Sequence, residues 1–288
     1  MTPVHTQYIA SVELDTDRLA KDLAQSASFT WSEAYSDYLF GGPWKSAMLW
    51  ALGGDSGDGV MTNYAYDLTA SFTDYGRQTP YLQELITDIA DLSRLVFVRL
   101  ATVANSVIIP HRDLLEFTEI ADERRIAHRV HIPLVTHENC FFSERNTVFR
   151  MRTGEVWGLN AAQMHSVASL TNQPRTHIIF DFADRPGPGP LVKVERQNTG
   201  PDIPADRMVV RPPLPDEIRA DLLRLADVLT MDTFSEVFSI IIKQHFRYDG
   251  GESFAWDTIK AIARVCKDPA VLPHTLELHR YYTLERSA

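Results

Sequence analysis

Cysteine is scarce in this chain: Cys140 and Cys266 are the only two in 288 residues. So few, so far apart, exclude a disulfide framework and fit two reduced thiols of a cytosolic protein. Long apolar runs are missing too. No window approaches the roughly 20 apolar residues that span a bilayer. The opening MTPVHTQYIA lacks a basic region leading into an apolar one, so no secretory signal and a cytoplasmic location are expected. Positive charge is also short, with 28 Lys and Arg against 38 Asp and Glu and a formal charge of −10. That balance repels nucleic acid and anionic membrane, and the basic residues are scattered with no run to offset it. The remaining histidines at 5, 128, 137, 177, 274 and 279 form no His-x-x-x-His or Cys-rich metal pattern. No Gly-x-Ser-x-Gly elbow points to a nucleophilic hydrolase. Gly53-Gly54-Asp55-Ser56-Gly57-Asp58-Gly59 lacks the Lys-Ser/Thr of a phosphate loop and reads as a mobile surface loop.

What is present is an ordinary globular composition, 44% hydrophobic and 23% charged, long enough for one large core and an accessory unit. Tyr8 to Leu14 alternates as a strand, and Asp15 or Thr16 is placed to cap a helix through Leu19, Leu23 and Ala24. Leu82, Leu85, Ile86, Ile89 and Leu92 keep helical spacing, with Pro80 suited to the first turn. From about Leu95 the period changes to two. Strands are expected near 94–104, 106–113, 129–135, 140–143, 147–152, 155–159, 165–170 and 175–183. Many short strands in series point to a sandwich or double-sheet jelly roll, mainly β with flanking N-terminal helices. Arg185-Pro186-Gly187-Pro188-Gly189-Pro190 cannot continue a ladder. The expected division is therefore a jelly-roll domain over 1–184, a Pro-rich connector over 185–214 and a small C-terminal helical domain over 215–288. These last helices would cover one end of the barrel or form a homodimer contact; the sequence does not choose.

The chemistry begins at His111-Arg112-Asp113. On a strand, residues i and i+2 share a face, so the imidazole and carboxylate can offer two ligands to one metal. His165, at the start of a later strand, supplies a second imidazole. Two neutral imidazoles and one carboxylate form the facial triad of non-haem Fe(II), which leaves open positions for a chelating 2-oxo acid and O2. Arg175 follows ten residues later, at the head of Arg175-Thr176-His177-Ile178-Ile179-Phe180-Asp181-Phe182. An antiparallel strand returning from His165 would bring its guanidinium near the metal, where it can grip the far carboxylate of 2-oxoglutarate.

Val107-Ile108-Ile109-Pro110-His111-Arg112-Asp113, Arg129-Val130-His131-Ile132-Pro133-Leu134, Thr153-Gly154-Glu155-Val156-Trp157 and Gln163-Met164-His165-Ser166 resemble, in this order, the bacterial proline cis-hydroxylases. Those lie within the aspartyl/asparaginyl β-hydroxylase group of Fe(II)/2-oxoglutarate dioxygenases. The likeness extends to Gly42-Pro43-Trp44-Lys45, Pro80-Tyr81-Leu82, Asp181-Phe182 and His245-Phe246-Arg247-Tyr248, and so covers most of the chain. It implies a double-stranded β-helix, iron held by His111, Asp113 and His165, and 2-oxoglutarate anchored by Arg175. It also implies that Arg129 and His131 line the pocket, Arg129 holding a carboxylate of substrate or cosubstrate and His131 donating a hydrogen bond. Arg99 stands where the proline 3-hydroxylases carry an Arg and is a substrate-binding candidate.

Departures from that pattern bear on the substrate. Phe141-Phe142 falls where the proline 3-hydroxylases have Phe-His, which makes Phe142 a substrate-facing position that lacks a polar contact. Asn160 replaces an Asp, and Gly158 replaces a bulkier aromatic after Trp157, so an altered or enlarged pocket is expected. The resemblance thus implies O2-dependent hydroxylation of a free amino or imino acid (proline, pipecolate or a similar molecule) with release of succinate and CO2. The intact carboxylate at Asp113 argues against halogenation. Two alternatives stand: the same chemistry on a peptidyl or carrier-bound Asp or other residue, and a non-catalytic metal-binding jelly roll.

Overall fold

Period-two patterning in the middle of the chain and helical spacing at its two ends generate a layered arrangement. It is seen in a computed structural model that describes residues 5–36, 39–42, 44–113 and 126–283. Pro43 of the Gly42-to-Lys45 motif lies outside the described residues. So do residues 1–4 and 284–288, the outer ends of the two expected domains.

The N-terminal third supplies β1 (Gln7–Ser11), α1 (Thr16–Ser26), β2 (Leu39–Gly41), β3 (Lys45–Leu52), β4 (Ala70–Phe72), α2 (Asp74–Arg77) and α3 (Pro80–Ile89). Asp15 is the N-cap of α1, its carboxylate accepting from the backbone N–H groups of Asp17 and Arg18 at 3.2 and 3.0 Å. Pro80 opens α3, as expected of a residue with no N–H to waste. The strand expected over 8–14 ends at Ser11. Strand β3 escapes sequence reading because seven of its eight residues are buried, which erases the alternation that marks a half-exposed strand.

The middle third continues with β5 (Leu95–Val103), β6 (Ser106–Ile108), β7 (Ile126–Val135), β8 (Cys140–Glu144), β9 (Thr147–Phe149), β10 (Glu155–Leu159), β11 (His165–Ser169) and β12 (Arg175–Ala183). Among the described residues these pair into a seven-stranded sheet, β1-β10-β7-β12-β5-β3-β4, and a five-stranded sheet, β2-β6-β11-β8-β9. Every ladder is antiparallel. From β5 to β12 the chain passes back and forth between the two sheets. The result is the order β10-β7-β12-β5 facing β6-β11-β8-β9, a double-stranded β-helix of the jelly-roll class.

Beyond β12 come α4 (Asp216–Arg224), α5 (Phe234–His245), α6 (Phe254–Ala263) and α7 (Val271–Thr283). Parity along the strands separates three apolar layers. Val98, Leu100, Val130, Ile132, Ile178 and Phe180 turn outward from the large sheet onto Leu19, Leu82 and Ile86 of α1 and α3. Phe142, Trp157, Leu159 and Val167 meet between the sheets. Val107, Val148 and Ala168 turn outward from the small sheet onto Phe238, Ile241, Trp256 and Ile259. The C-terminal helices therefore cover the outer face of the small sheet rather than an end of the barrel.

His245, at the C-terminal end of α5, is 4% exposed and its Nδ1 has no hydrogen-bond partner. Burial, with Arg211 nearby, pulls it down to about 4 from the usual 6.5. A histidine kept neutral in the fold contributes stability that is intact above about 6.5 and is lost as pH falls through that value toward 4. The wild type should therefore lose up to about 3 kcal/mol more than His245→Gln between pH 7 and pH 4. Urea denaturation across that range measures the difference, and parallel curves for the two proteins would refute it.

Candidate active site

His111 and Asp113 do not lie on one regular strand as expected. Strand β6 stops at Ile108, because Pro110 has no N–H to offer a ladder. His111 then forms a single bridge with His165: each backbone N–H donates to the other's carbonyl, at 3.0 and 2.9 Å. Asp113 follows in an irregular segment held by its N–H to the Ala161 carbonyl at 2.9 Å. Two features of the C-terminal helices fix the same segment. Trp256 Nε1 donates to the Pro110 carbonyl at 2.9 Å, and the Arg112 N–H donates to the Tyr282 carbonyl at 2.9 Å.

The bridge brings the three side chains together. One ligand atom from each of His111, Asp113 and His165 lies within 4.8 Å of the others. His111 Nε2 is 3.1 Å and His165 Nε2 3.9 Å from Asp113 Oδ1, and the imidazole centroids are 4.2 Å apart. Each ring's Nδ1 faces a backbone carbonyl, His111 that of Ile109 at 2.7 Å and His165 that of Gln163 at 2.9 Å. A carbonyl can only accept, so the proton sits on Nδ1 and the Nε2 lone pair is presented to the cluster. Burial, then the neighbouring His111, pull His165 down to about 4, which keeps it neutral. Burial opposes charge on Asp113, but the Arg129 guanidinium outweighs it and holds this carboxyl well below its usual range. Two neutral nitrogens and an ionised oxygen on one side of an open point fit a divalent metal of the facial-triad type. These residues could hold iron.

The large sheet contributes a polar inner face. On β12, Arg175, His177, Ile179 and Asp181 point between the sheets, since Ile178, Phe180 and Phe182 pack outward. Arg175 is 5% exposed and directed inward, not to solvent. The strand that carries it does not pair with β11 as an antiparallel return would. It crosses to the opposite sheet, between β5 and β7. Arg175 Nε donates to His177 Nε2 at 2.9 Å. Arg129 and His131, on β7, share the same interior. Arg129 spans two carboxylates, donating from Nε to Asp181 Oδ1 at 2.7 Å and from Nη1 to Asp113 Oδ2. Its fork is thus occupied by the protein itself. Arg99, on β5, lies 3.5 Å from Asp181 Oδ2 and beneath the rings of Trp44 and Tyr35, at 5.3 and 6.0 Å.

Among the described residues, four buried polar atoms of this interior have no hydrogen-bond partner: Asp181 Oδ2, which lies 3.5 Å from Arg99 Nη2, and the donors Arg99 Nε and Nη1 and His131 Nε2. Buried donors of this kind are satisfied by a ligand or by water. Phe142 lies parallel to His165 at 6.2 Å and edge-on to His131 at 6.0 Å, which places an apolar surface between the metal cluster and the cationic wall. Gly158 does not enlarge this space. It turns outward, where an added Cβ would touch Ile9 and Gln7. Asn160 caps a turn by accepting from the Ala162 N–H at 3.2 Å.

Sequence reading named Asp181 and Trp44 only as parts of resembling motifs, without a role at the site, and passed over Tyr35. Asp181 is fully buried and anchors both Arg129 and Arg99. Its parity with Arg175 along one strand was a usable signal. Tyr35 and Trp44 lie outside regular strands, where no periodicity marks them.

Residues 9–185 match the family model for aspartyl/asparaginyl beta-hydroxylase, and residues 190–288 that for the C-terminal part of L-proline 3-hydroxylase. The chain is 30% identical over 278 residues to the L-proline cis-4-hydroxylase of Rhizobium meliloti (strain 1021), covering 96% of this chain and 95% of that one. It is 30% identical over 273 residues to L-proline cis-3-hydroxylase 2 of a Streptomyces species, covering 92% and 90%. Similarity of this extent runs through both sheets and the helices behind them, and the chain belongs to the aspartyl/asparaginyl β-hydroxylase family.

Proposed function

We propose that the protein is an Fe(II)- and 2-oxoglutarate-dependent dioxygenase that hydroxylates a free amino or imino acid of the proline type. The observation that carries this reading is the convergence of His111, Asp113 and His165, with each imidazole's Nδ1 on a backbone carbonyl, inside a barrel whose opposite wall is cationic. Full-length similarity to proline cis-3- and cis-4-hydroxylases supports the substrate class.

The bound iron and 2-oxoglutarate supply the oxidation of a C–H bond by O2, with 2-oxoglutarate leaving as succinate and CO2. The chain's own residues bind, orient and exclude water. His111, Asp113 and His165 would hold the metal. Arg129 would keep Asp113 ionised and fixed by gripping its second oxygen, leaving the other for the metal. Arg175, lowered by burial to about 10 yet still cationic at neutral pH, would receive the distal carboxylate of 2-oxoglutarate. His131 Nε2 would donate to the cosubstrate. Arg99, whose buried Nε and Nη1 have no hydrogen-bond partner among the described residues, would take the amino acid's carboxylate. Trp44, Tyr35 and Phe142 would flank its apolar body. Orientation of one carbon toward the metal would then be a matter of where Arg99 holds the carboxylate.

Succinate release should be seen with Fe(II), ascorbate, 2-oxoglutarate and a cyclic imino acid, and the product should gain 16 mass units by mass spectrometry, the mass of one oxygen atom. His111→Ala and His165→Ala should abolish it. Arg175→Ala should raise the 2-oxoglutarate requirement roughly 30-fold or more. A fully iron-loaded protein that turns over no free amino acid in a broad panel would overturn the substrate class. Trp256→Phe keeps an aromatic ring behind the small sheet but removes the hydrogen bond to Pro110. It is expected to weaken Mn(II) affinity on the order of 10-fold by titration calorimetry, with the melting temperature little changed.

A further inference from the structure

Arg99 and Asp181 form an ion pair that does not close. Both are sealed in the barrel, Arg99 at 3% and Asp181 at 0% exposure. Arg99 Nη2 nevertheless stands 3.5 Å from Asp181 Oδ2, with no hydrogen bond between them. A buried guanidinium and carboxylate ordinarily meet in a fork of two short bonds. Strand register works against that here. Arg99 on β5 faces Ile179 of β12, and Asp181 faces Phe97, so the guanidinium reaches the carboxylate along a diagonal. Each group is also held from elsewhere. Asp181 Oδ1 takes the Arg129 Nε proton at 2.7 Å, and the Arg99 guanidinium carbon lies 5.3 Å from the Trp44 ring centre. Among the described residues, Asp181 Oδ2 and Arg99 Nε and Nη1 are left without a hydrogen-bond partner.

One anionic acceptor and two cationic donors thus stand open side by side, and buried groups of this kind call for a guest that satisfies them. An α-amino acid presents the complement, a carboxylate with an ammonium on the neighbouring carbon. Arg99 Nε and Nη1 suit the carboxylate. The ammonium needs an anionic acceptor, because three guanidinium groups share this interior. Few carboxylate oxygens are free to serve. Asp113 commits Oδ2 to Arg129 and holds Oδ1 in the metal cluster, 3.1 Å from His111 Nε2. Asp181 commits Oδ1 to Arg129. Of these four oxygens, Asp181 Oδ2 is the one left over. A guest without the ammonium would leave it buried and unpaired. A cyclic imino acid acylated at nitrogen would bring it neither charge nor N–H.

We propose that Asp181 determines specificity for the substrate's amine: its Oδ2 accepts an N–H of the ammonium while Arg99 holds the carboxylate, so the site takes free imino acids and rejects nitrogen-acylated, peptidyl ones. The inference rests on reading this barrel as the site of a free amino-acid hydroxylase, and it adds the group that recognises the amine. The test is calorimetric titration, without oxygen, of protein loaded with Mn(II) and 2-oxoglutarate. The probes are L-proline and L-pipecolate, each against its carbocycle, cyclopentane- or cyclohexanecarboxylate, which keeps the ring and the carboxylate but has CH2 for nitrogen. Wild type should bind one imino acid roughly 100-fold or more tightly than its carbocycle. N-acetyl-L-proline should bind no better than the carbocycle. In Asp181→Asn the amide keeps an acceptor for Arg129 but loses the charge. The preference should then shrink to within a few-fold, through weaker binding of the imino acid with the carbocycle little changed. A merely structural role would weaken both ligands alike, and that outcome would overturn the proposal. So would an Asn variant that keeps the full preference, or a wild type that does not distinguish the two. Should the variant fail to fold, a crystal structure of the wild-type complex with Mn(II), 2-oxoglutarate and the imino acid decides. The ring nitrogen should lie within about 3.2 Å of Asp181 Oδ2, and an amine directed elsewhere refutes the assignment. A wild type that binds neither imino acid nor carbocycle would sink the imino-acid reading itself, and the role of Asp181 with it.

Discussion

The interior of the barrel is organised around one ionic chain, Asp181–Arg129–Asp113. Asp181 is fully buried, a position no carboxylate occupies cheaply without a charged partner. Arg129 provides that partner and uses its remaining arm on Asp113, so a residue deep in β12 fixes a carboxylate in the irregular segment after Pro110. Arg129 itself is pushed up: burial opposes its charge, but Asp181 and Asp113 more than offset it. Removing Arg129 would leave the buried Asp181 with Arg99 at 3.5 Å and release the partly exposed Asp113, a loss of about 3–5 kcal/mol for the broken buried pair. The metal cluster and the large sheet are for this reason one unit, although they belong to different sheets.

The histidines of the cluster depend on a different constraint. His111 and His165 each set Nδ1 on a backbone carbonyl two residues before it in its own segment. A backbone carbonyl does not titrate, so the tautomer that exposes Nε2 is set by chain path alone. That path is in turn held from outside the barrel, by Trp256 on the carbonyl of Pro110 and by the α7 backbone on Arg112. The C-terminal helices thereby have a task at the site without reaching into it.

Much of this could be read in the linear chain, and the failures have identifiable causes. Strands β7, β8, β10, β11 and β12 were legible because polar residues still interrupt the apolar ones along them, even where every residue is buried. Strand β3 was not, since Ala47–Leu52 is apolar on both faces and shows no alternation. The cluster was legible as residue types at a suggestive spacing, although the reason given for it, one regular strand over His111 and Asp113, fails at Pro110. What joins them instead is the His111–His165 bridge between segments 54 positions apart, a pairing no local pattern encodes. Gly158 was misjudged because the strand's register decides which way it faces, and register is set by β1 on the outer edge. Arg129 was read as lining the pocket, but its pairing with Asp113 and Asp181 was not foreseen, because an ion pair between distant segments leaves no periodic mark.

The charge balance of the barrel accounts for how these features serve one purpose. Three guanidinium groups, of Arg99, Arg129 and Arg175, share the interior with two carboxylates, of Asp113 and Asp181. His131, His165 and His177 add no charge, since burial keeps each neutral. The wall is thus already short of negative charge, and a divalent metal on the cluster would deepen the deficit. A dianionic 2-oxo acid and the carboxylate of an amino acid are ligands that would restore it. An apolar or cationic guest would instead leave buried cations uncompensated, at a cost no packing contact of this interior could offset. Arg99 is where that selection would be sharpest on the proposed reading: burial lowers it, Asp181 lies 3.5 Å away, and among the described residues its Nε and Nη1 have no hydrogen-bond partner. On the proposed reading, specificity for a carboxylate-bearing small molecule would follow from the protein's own electrostatics, before any shape of ring or side chain is considered.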